Sequence, residues 1–132
     1  MTPEQKAALV AAAQAVREQA YAPYSQYLVG AALLGTDGRI FIGCNVESAS
    51  FGATLCAERG ALARAISEGN RQFEAIAITT RDGGSPCGIC RQSLYEFAPS
   101  LWVILLDEAG SIQAEMPLRD LLPRGFGGES LP

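Results

Sequence analysis

The sequence predicts an α/β fold, a three-layer αβα arrangement with a mixed sheet of about five strands flanked by helices. Three observations predict it. Helix signals mark three stretches, the first by apolar residues at helical spacing and the others by their starts and stops, and short apolar runs of strand length lie between them. Asp37-Gly38 joins the first two runs as a hairpin turn. A helical stretch separates the third and fourth runs, which implies a parallel, right-handed crossover.

Each element has its own signal. Thr2-Pro3-Glu4-Gln5 reads as a helix start, with Thr2 as cap, Pro3 in the first position and Gln5 completing a capping box. Leu9, Ala12, Ala13, Val16 and Ala20 then keep helical spacing, so the helix is expected to reach about Gln19. Residues 21–27 form a loop with Pro23 and three tyrosines. Residues 28–34 are a strand, 36–39 a turn in which Asp-Gly supplies positive φ angles, and 39–46 the returning strand. A loop of small residues with Phe51 runs from 47 to 54. The second helix begins near Leu55 or Cys56 and ends at Gly69-Asn70, Gly being suited to the left-handed cap. Its apolar residues cover more than one face, which predicts burial on several sides.

The third strand is expected at 74–80, followed by a Gly-rich loop at 81–85. Ser85-Pro86 then opens a third helix by the cap-then-Pro pattern, and Pro99 ends it. Residues 101–106 are continuously apolar, as in a strand buried on both faces. A short strand at 111–115 and one helical turn within 117–122 follow. No repeat, charge block or interdomain linker interrupts the 132 residues, so 1–132 is read as one domain. Gly125, Gly127 and Gly128 predict a flexible C-terminal tail from about residue 125.

The net charge of −4 argues against a broad phosphate-gripping surface and so against a nucleic-acid binder. The apolar fraction of 48% leaves apolar surface to spare, which favours association with copies of the same chain. No run of eighteen apolar residues occurs, and the first residues lack a basic-then-apolar leader pattern. Four cysteines in that setting fit a reducing cytoplasm, where their spacing points to metal or catalysis more than to disulfides.

Leu55-Cys56-Ala57-Glu58-Arg59 and Pro86-Cys87-Gly88-Ile89-Cys90 carry the chemistry. Three sulfurs and a water make a tetrahedral zinc site with an open position. A carboxylate beside that position is what hydrolysis needs. Cys56 and Glu58 converge on one site only if Cys56 sits at the helix N-terminus. Both helix ends would then face the metal and favour thiolate over thiol. Arg59 is expected to donate to the thiolates and draw negative charge from the metal. A redox dithiol would explain Cys87 and Cys90 but leave Cys56 idle. A closed structural zinc site needs a fourth ligand. The chain has no His, and Cys44 reads as a small core residue in a strand. Asn45 and Glu47 share one face of a strand end and suit a ribose's vicinal hydroxyls, although such a pair is also common as a solvated strand end. Tyr27 and Phe51 either stack on a flat ring or close the core.

With these residues in view, the sequence resembles the small homotetrameric cytidine deaminases. The resemblance spans nearly the whole chain. It includes Tyr24-Ser25 with Tyr27, Val29-Gly30-Ala31-Ala32, Asp37-Gly38-Arg39-Ile40, Gly43-Cys44-Asn45-Val46-Glu47, Cys56-Ala57-Glu58-Arg59, Pro86-Cys87-Gly88-Ile89-Cys90-Arg91-Gln92, and Leu121-Leu122-Pro123 with Phe126-Gly127. Cys-Ala-Glu with Pro-Cys-x-x-Cys alone marks only the wider deaminase superfamily. Zinc deaminases as a class include a three-Cys form with a Glu that is not a ligand, so the class itself supplies that assignment.

The resemblance implies a cytidine deaminase-like fold and hydrolytic deamination of cytidine, and of deoxycytidine, in pyrimidine salvage. It implies that Cys56, Cys87 and Cys90 hold zinc and that Glu58 moves protons. It matches Asn45 and Glu47 to ribose binding, Tyr27 to a position usually Phe that packs on the pyrimidine, and the backbone around Ala57 and Ser85 to the base edge. Phe126 matches an aromatic that reaches a neighbouring subunit's site, and a cytoplasmic homotetramer is expected. Ser48 stands where the family often has Asn. Phe51 stands where it often has Tyr, so one cross-subunit hydrogen bond lacks its hydroxyl. A blasticidin-type deaminase and a non-catalytic zinc module are the alternatives. The Asn-Val-Glu motif favours cytidine over the first, and ammonia release separates the enzyme from the second.

Overall fold

The computed structural model describes residues 1–132. In chain order the elements are α1 (Pro3–Arg17), β1 (Gly30–Gly35), β2 (Ile40–Cys44), α2 (Ala57–Ser67), β3 (Phe73–Thr79), α3 (Gly88–Tyr95), β4 (Trp102–Leu106) and β5 (Ile112–Pro117). The five strands form one sheet in the order β2-β1-β3-β4-β5. β3 and β4 are parallel, as the helix between them implies, and every other neighbouring pair is antiparallel, the β1–β2 pair through its hairpin.

The first strand shows why three layers form. Ala31 and Leu33 face one side of the sheet and pack with Ala61, Leu62, Ile76, Leu94 and Val103 under α2 and α3. Ala32 and Leu34 face the other and pack with Leu9 and Ala13 of α1 and with Ile104 and Leu106. A strand buried on both faces has no solvent side to mark with polar residues, hence the unbroken apolar run. β4 follows the same rule from Val103 onward, while Trp102 at its start remains 38% exposed.

α1 starts as expected. The Thr2 hydroxyl accepts from the Gln5 backbone N–H at 3.1 Å, and the Gln5 side chain accepts from the Thr2 N–H at 2.9 Å. Two other expectations need correcting. In the β1–β2 turn only Gly38 takes a positive φ, +92°, and Asp37 does not. Gly38 N–H donates to the Gly35 carbonyl and Gly35 N–H to the Arg39 carbonyl, which makes a three-residue loop closed by a left-handed glycine. The third helix begins at Gly88 with Cys87 as its cap, not at Ser85-Pro86. The Ser85 hydroxyl is held by Arg91 at 2.7 Å and so does not serve the helix's free N–H groups.

Two features set the position of α2. Gly43 of β2 lies so close to the helix that a Cβ there would stand 2.4 Å from Ala61 N and 2.5 Å from the Ala57 carbonyl oxygen. Beyond β2, Val46 and Leu55 exchange backbone hydrogen bonds of 2.9 Å in both directions. Cys56, the next residue, is thereby fixed as the cap of α2. The tail from Gly125 carries a single 3-10 turn, Gly128–Ser130, and is tied to α3 where the Gln92 amide donates to the Phe126 carbonyl at 2.8 Å.

Candidate functional site

Cys56 caps α2 and Cys87 caps α3, both in extended backbone conformation, while Cys90 lies in the first turn of α3. Their three sulfurs lie within 4.8 Å of one another, with Cys56 Sγ and Cys87 Sγ 4.0 Å apart. Tetrahedral zinc with Zn–S bonds of about 2.3 Å places its sulfurs about 3.8 Å from each other, so the donor set fits this metal. Cys44, at the end of β2, is not part of the cluster; it is only half-buried and belongs to neither core cluster, so it is not the core residue that the sequence suggested. No fourth donor atom converges with the three sulfurs, which leaves a coordination position for a small molecule.

The electrostatics favour a thiolate at Cys56. Hydrogen bonds from Cys90, and then from Arg59, pull the Cys56 thiol down to about 5. Cys90 is held upward by the same coupling to Cys56 and by burial. One proton shared between two close sulfurs produces this opposed pair. Arg59 Nη2 donates to Cys56 Sγ at 3.5 Å and to the Thr54 carbonyl at 3.3 Å, which is the expected role beside the sulfurs. These bonds to the thiolates strengthen its hold on its own proton.

Glu58 occupies the second position of α2 and is only 5% exposed. Burial raises its carboxyl to about 7, and the charge on Cys56 adds to the rise. A carboxyl poised there takes up and releases protons near neutral pH. It opens onto a cavity of about 250 Å³ whose lining includes Tyr27, Asn45, Ala57, Ser85, Cys56 and Cys87. Four of the seven residues expected at the substrate, Tyr27, Asn45, Ala57 and Ser85, therefore meet at the sulfurs.

The other three lie elsewhere. Glu47 lines an adjoining depression with Tyr24, Ser25, Phe51 and Thr54, and Thr54 borders both spaces. Its carboxylate accepts from the backbone N–H groups of Tyr24 and Ser25 at 2.9 and 3.1 Å and from the Ser25 hydroxyl. The hydroxyl bond does most to hold its pKa below the usual carboxylate range. Asn45 is likewise engaged, donating to the Tyr27 carbonyl at 2.8 Å and accepting from Val29 N–H at 2.9 Å. Phe51 is 75% exposed, with its ring edge-on to Tyr24 at 5.9 Å, and Phe126 is 56% exposed, away from this chain's own cavity.

Sequence reasoning missed Val29, Thr54, Ile78, Thr80 and Gly84, which also line the cavity. Thr80 and Gly84 lie at the edge of the loop marked as Gly-rich, and that was the available signal. In the sequence Arg91 has no role beyond its place in the 86–92 motif. Its guanidinium in fact spans Pro86 O, Leu121 O and Ser85 Oγ, each at 2.7 Å, and so fixes the approach to Cys87. No helix is long and apolar enough to cross a membrane.

Comparison with known proteins agrees with this geometry. Residues 3–106 match the family described as the cytidine and deoxycytidylate deaminase zinc-binding region. A cytidine deaminase of Sporosarcina psychrophila is 46% identical over 126 residues, covering 93% of this chain and 92% of that protein. One from Mycobacterium tuberculosis is 44% identical over 115 residues, 86% of this chain and 83% of that one. The crystal structure of cytidine deaminase from Burkholderia pseudomallei matches with a TM-score of 0.87 at 46% identity, over 96% of this chain and 100% of that chain.

Proposed function

This chain belongs to the cytidine and deoxycytidylate deaminase family, and we propose that it hydrolyses cytidine, and deoxycytidine, to the uracil nucleoside and ammonia. One observation carries the reading. A buried carboxylic acid, Glu58, stands with three convergent sulfurs at a cavity of nucleobase size.

Cys56, Cys87 and Cys90 hold the zinc. When bound, it supplies a Lewis acid that makes water a nucleophile near neutral pH. Glu58 does the proton work. It takes a proton from the attacking water and passes it to N3 of the ring as C4 is attacked. It then takes the proton of the new C4 hydroxyl and delivers it to the amino group, so that the C4–N bond breaks, the C4 carbonyl forms and ammonia leaves. Its raised pKa supports both directions of transfer. Tyr27 packs on the pyrimidine, and the backbone at Ala57 and Ser85 meets the base edge.

The ribose is assigned to Asn45 and Glu47. After the bonds each already makes, Asn45 retains one N–H and one lone pair, and the Glu47 carboxylate retains about one of its four acceptor positions. The sugar would then extend past Thr54, which borders both spaces. Exposed Phe51 and Phe126 support assembly, and a homotetramer with Phe126 reaching a neighbour's site accounts for an aromatic that serves no site in its own chain. Pyrimidine salvage in the cytoplasm is the corresponding physiological setting.

The test is the ultraviolet loss of cytidine with parallel ammonia detection, run before and after chelation. Turnover that falls with zinc removal and returns on zinc addition is expected. Zinc-loaded protein that releases no ammonia from cytidine would refute the assignment.

A further inference from the structure

A residue that the mechanism does not use braces Tyr27, one of the residues lining the cavity. Asp82 lies in the loop between β3 and α3, 55 positions from Tyr27. The Tyr27 hydroxyl donates to Asp82 Oδ1 at 2.6 Å, and the Thr80 hydroxyl donates to the same oxygen at 3.3 Å. Thr80 Oγ1 in turn accepts from Gly83 N–H at 2.8 Å and Gly84 N–H at 2.7 Å. The guanidinium of Arg81 sits over the Tyr27 ring, 5.5 Å from its centroid. Thr80, Asp82 and the two glycines thus form one compact turn, held from outside by the phenol of Tyr27, by a backbone bridge between Asp82 and Asp107 and, at Ser85, by Arg91.

The fit leaves no room for a methyl group. A Cβ on Gly84 would lie 2.5 Å from the Tyr27 hydroxyl oxygen, whereas its next nearest neighbours, Asp82 Oδ1 and Thr80 Oγ1, would be at ordinary distances of 3.5 and 3.7 Å. The hydroxyl itself therefore occupies the space above Gly84. Tyr27, Thr80, Gly84 and Ser85 all line the cavity, and Ser85-Pro86 leads directly into Cys87.

We propose that Asp82 is a positioning residue: with the Tyr27 hydroxyl it forms a clasp that holds the 83–85 segment against the substrate cavity and so sets substrate affinity. The inference rests on the cytidine assignment above. Asp82 lines neither the cavity nor the sulfur cluster, so its effect passes through Tyr27 and the loop.

The test combines kinetics with thermal melting of zinc-loaded protein. Asp82→Ala should raise KM for cytidine about tenfold, equivalent to about 1.4 kcal/mol, with a smaller change in kcat and zinc content kept. Tyr27→Phe should raise KM to a similar degree. The double variant should be no worse than either single, because both remove the same bond. Gly84→Ala should also raise KM by displacing the phenol. Adding Tyr27→Phe to it should restore the melting temperature that Gly84→Ala lowers, since the clashing atom is gone.

A loss of kcat or zinc in Asp82→Ala with KM unmoved would overturn the clasp and leave a merely structural loop. Additive losses in the double variant would overturn it too. If wild-type protein does not turn over cytidine, the functional assignment falls. The melting data then decide the clasp alone, with restoration by Tyr27→Phe upholding it and its absence overturning it.

Discussion

Gly43→Ala is a small change placed where the fold transmits force to the site. The added Cβ would stand 2.4 Å from Ala61 N and 2.5 Å from the Ala57 carbonyl oxygen, and both are helix backbone. Ordinary contact begins at 3.4 Å, so α2 and β2 must separate by about 1 Å. No side chain can rotate away to absorb the strain. Overpacking of this kind costs about 1–3 kcal/mol. The displaced segment includes Ala57, whose neighbours in sequence are the proposed metal ligand Cys56 and the buried acid Glu58. A misplacement of about 1 Å can cost on the order of 10²-fold in rate. The expected outcome is a variant that still folds and binds zinc, unfolds at lower urea concentration, and loses about two decades of kcat. Trp102 is the chain's one tryptophan and reports unfolding, with all samples compared at one protein concentration because assembly shifts apparent stability. Stability within about 0.5 kcal/mol of wild type would refute the claim that Gly43 sets the position of α2. An unchanged kcat in a destabilised variant would refute the transmission to Glu58.

Glu58→Gln keeps the buried shape but cannot move protons, so zinc should remain stoichiometric while kcat falls by at least about 10²–10⁴-fold. Metal analysis beside the cytidine assay checks both halves. Glu47→Ala should weaken cytidine by about 1.5–3 kcal/mol, the scale of a hydrogen bond to a charged group, and free cytosine far less. Equal losses in a two-substrate comparison would move Glu47 away from the sugar. Phe126→Ala should weaken substrate binding with zinc intact. Mixing its chains with Glu58→Gln chains under subunit exchange should restore high-affinity activity if the ring works on a neighbour, and exchange without recovery would assign it to its own chain.

Much of this was readable because the signals are local. The Thr2–Gln5 capping box, the apolar period of α1 and the Cys-x-x-Cys spacing are each decided within four residues. The cover on both faces of β4 was legible in its unbroken apolar run. The helix start at Cys87 was misread because cap-then-Pro is a local rule, and Arg91 takes the Ser85 hydroxyl from six residues away. Asp37 was expected to share a positive φ with Gly38, but the loop length that decides the turn type depends on strand pairing. Asp82 left no trace in sequence, since an acid in a Gly-rich loop is ordinary until a tyrosine 55 residues earlier is found against it. The joint use of Asn45 and Glu47 in bracing the 21–29 loop was equally invisible, because its partners are mostly backbone groups.

The placement of the ligands at helix caps answers a difficulty raised by their number. Zinc with three thiolates bears a formal charge of −1, which weakens its pull on water. A helix interior would supply no compensation, because its N–H groups are already bonded. A cap does, since the first N–H groups of a helix are free and the N-terminus carries about half a positive charge. Cys56 and Cys87 are both caps, and Cys90 lies in a first turn, so all three sulfurs sit at such ends. Arg59 adds a full charge to the same cluster through Cys56. Glu58 benefits from the same arrangement. Only at the start of a helix can residues two apart, the cap and the second position, turn toward one site. The sequence Cys-Ala-Glu-Arg therefore works as a unit because a helix begins at its second residue. That start is set by the Val46–Leu55 backbone pair before it and by the close approach of Gly43 beside it.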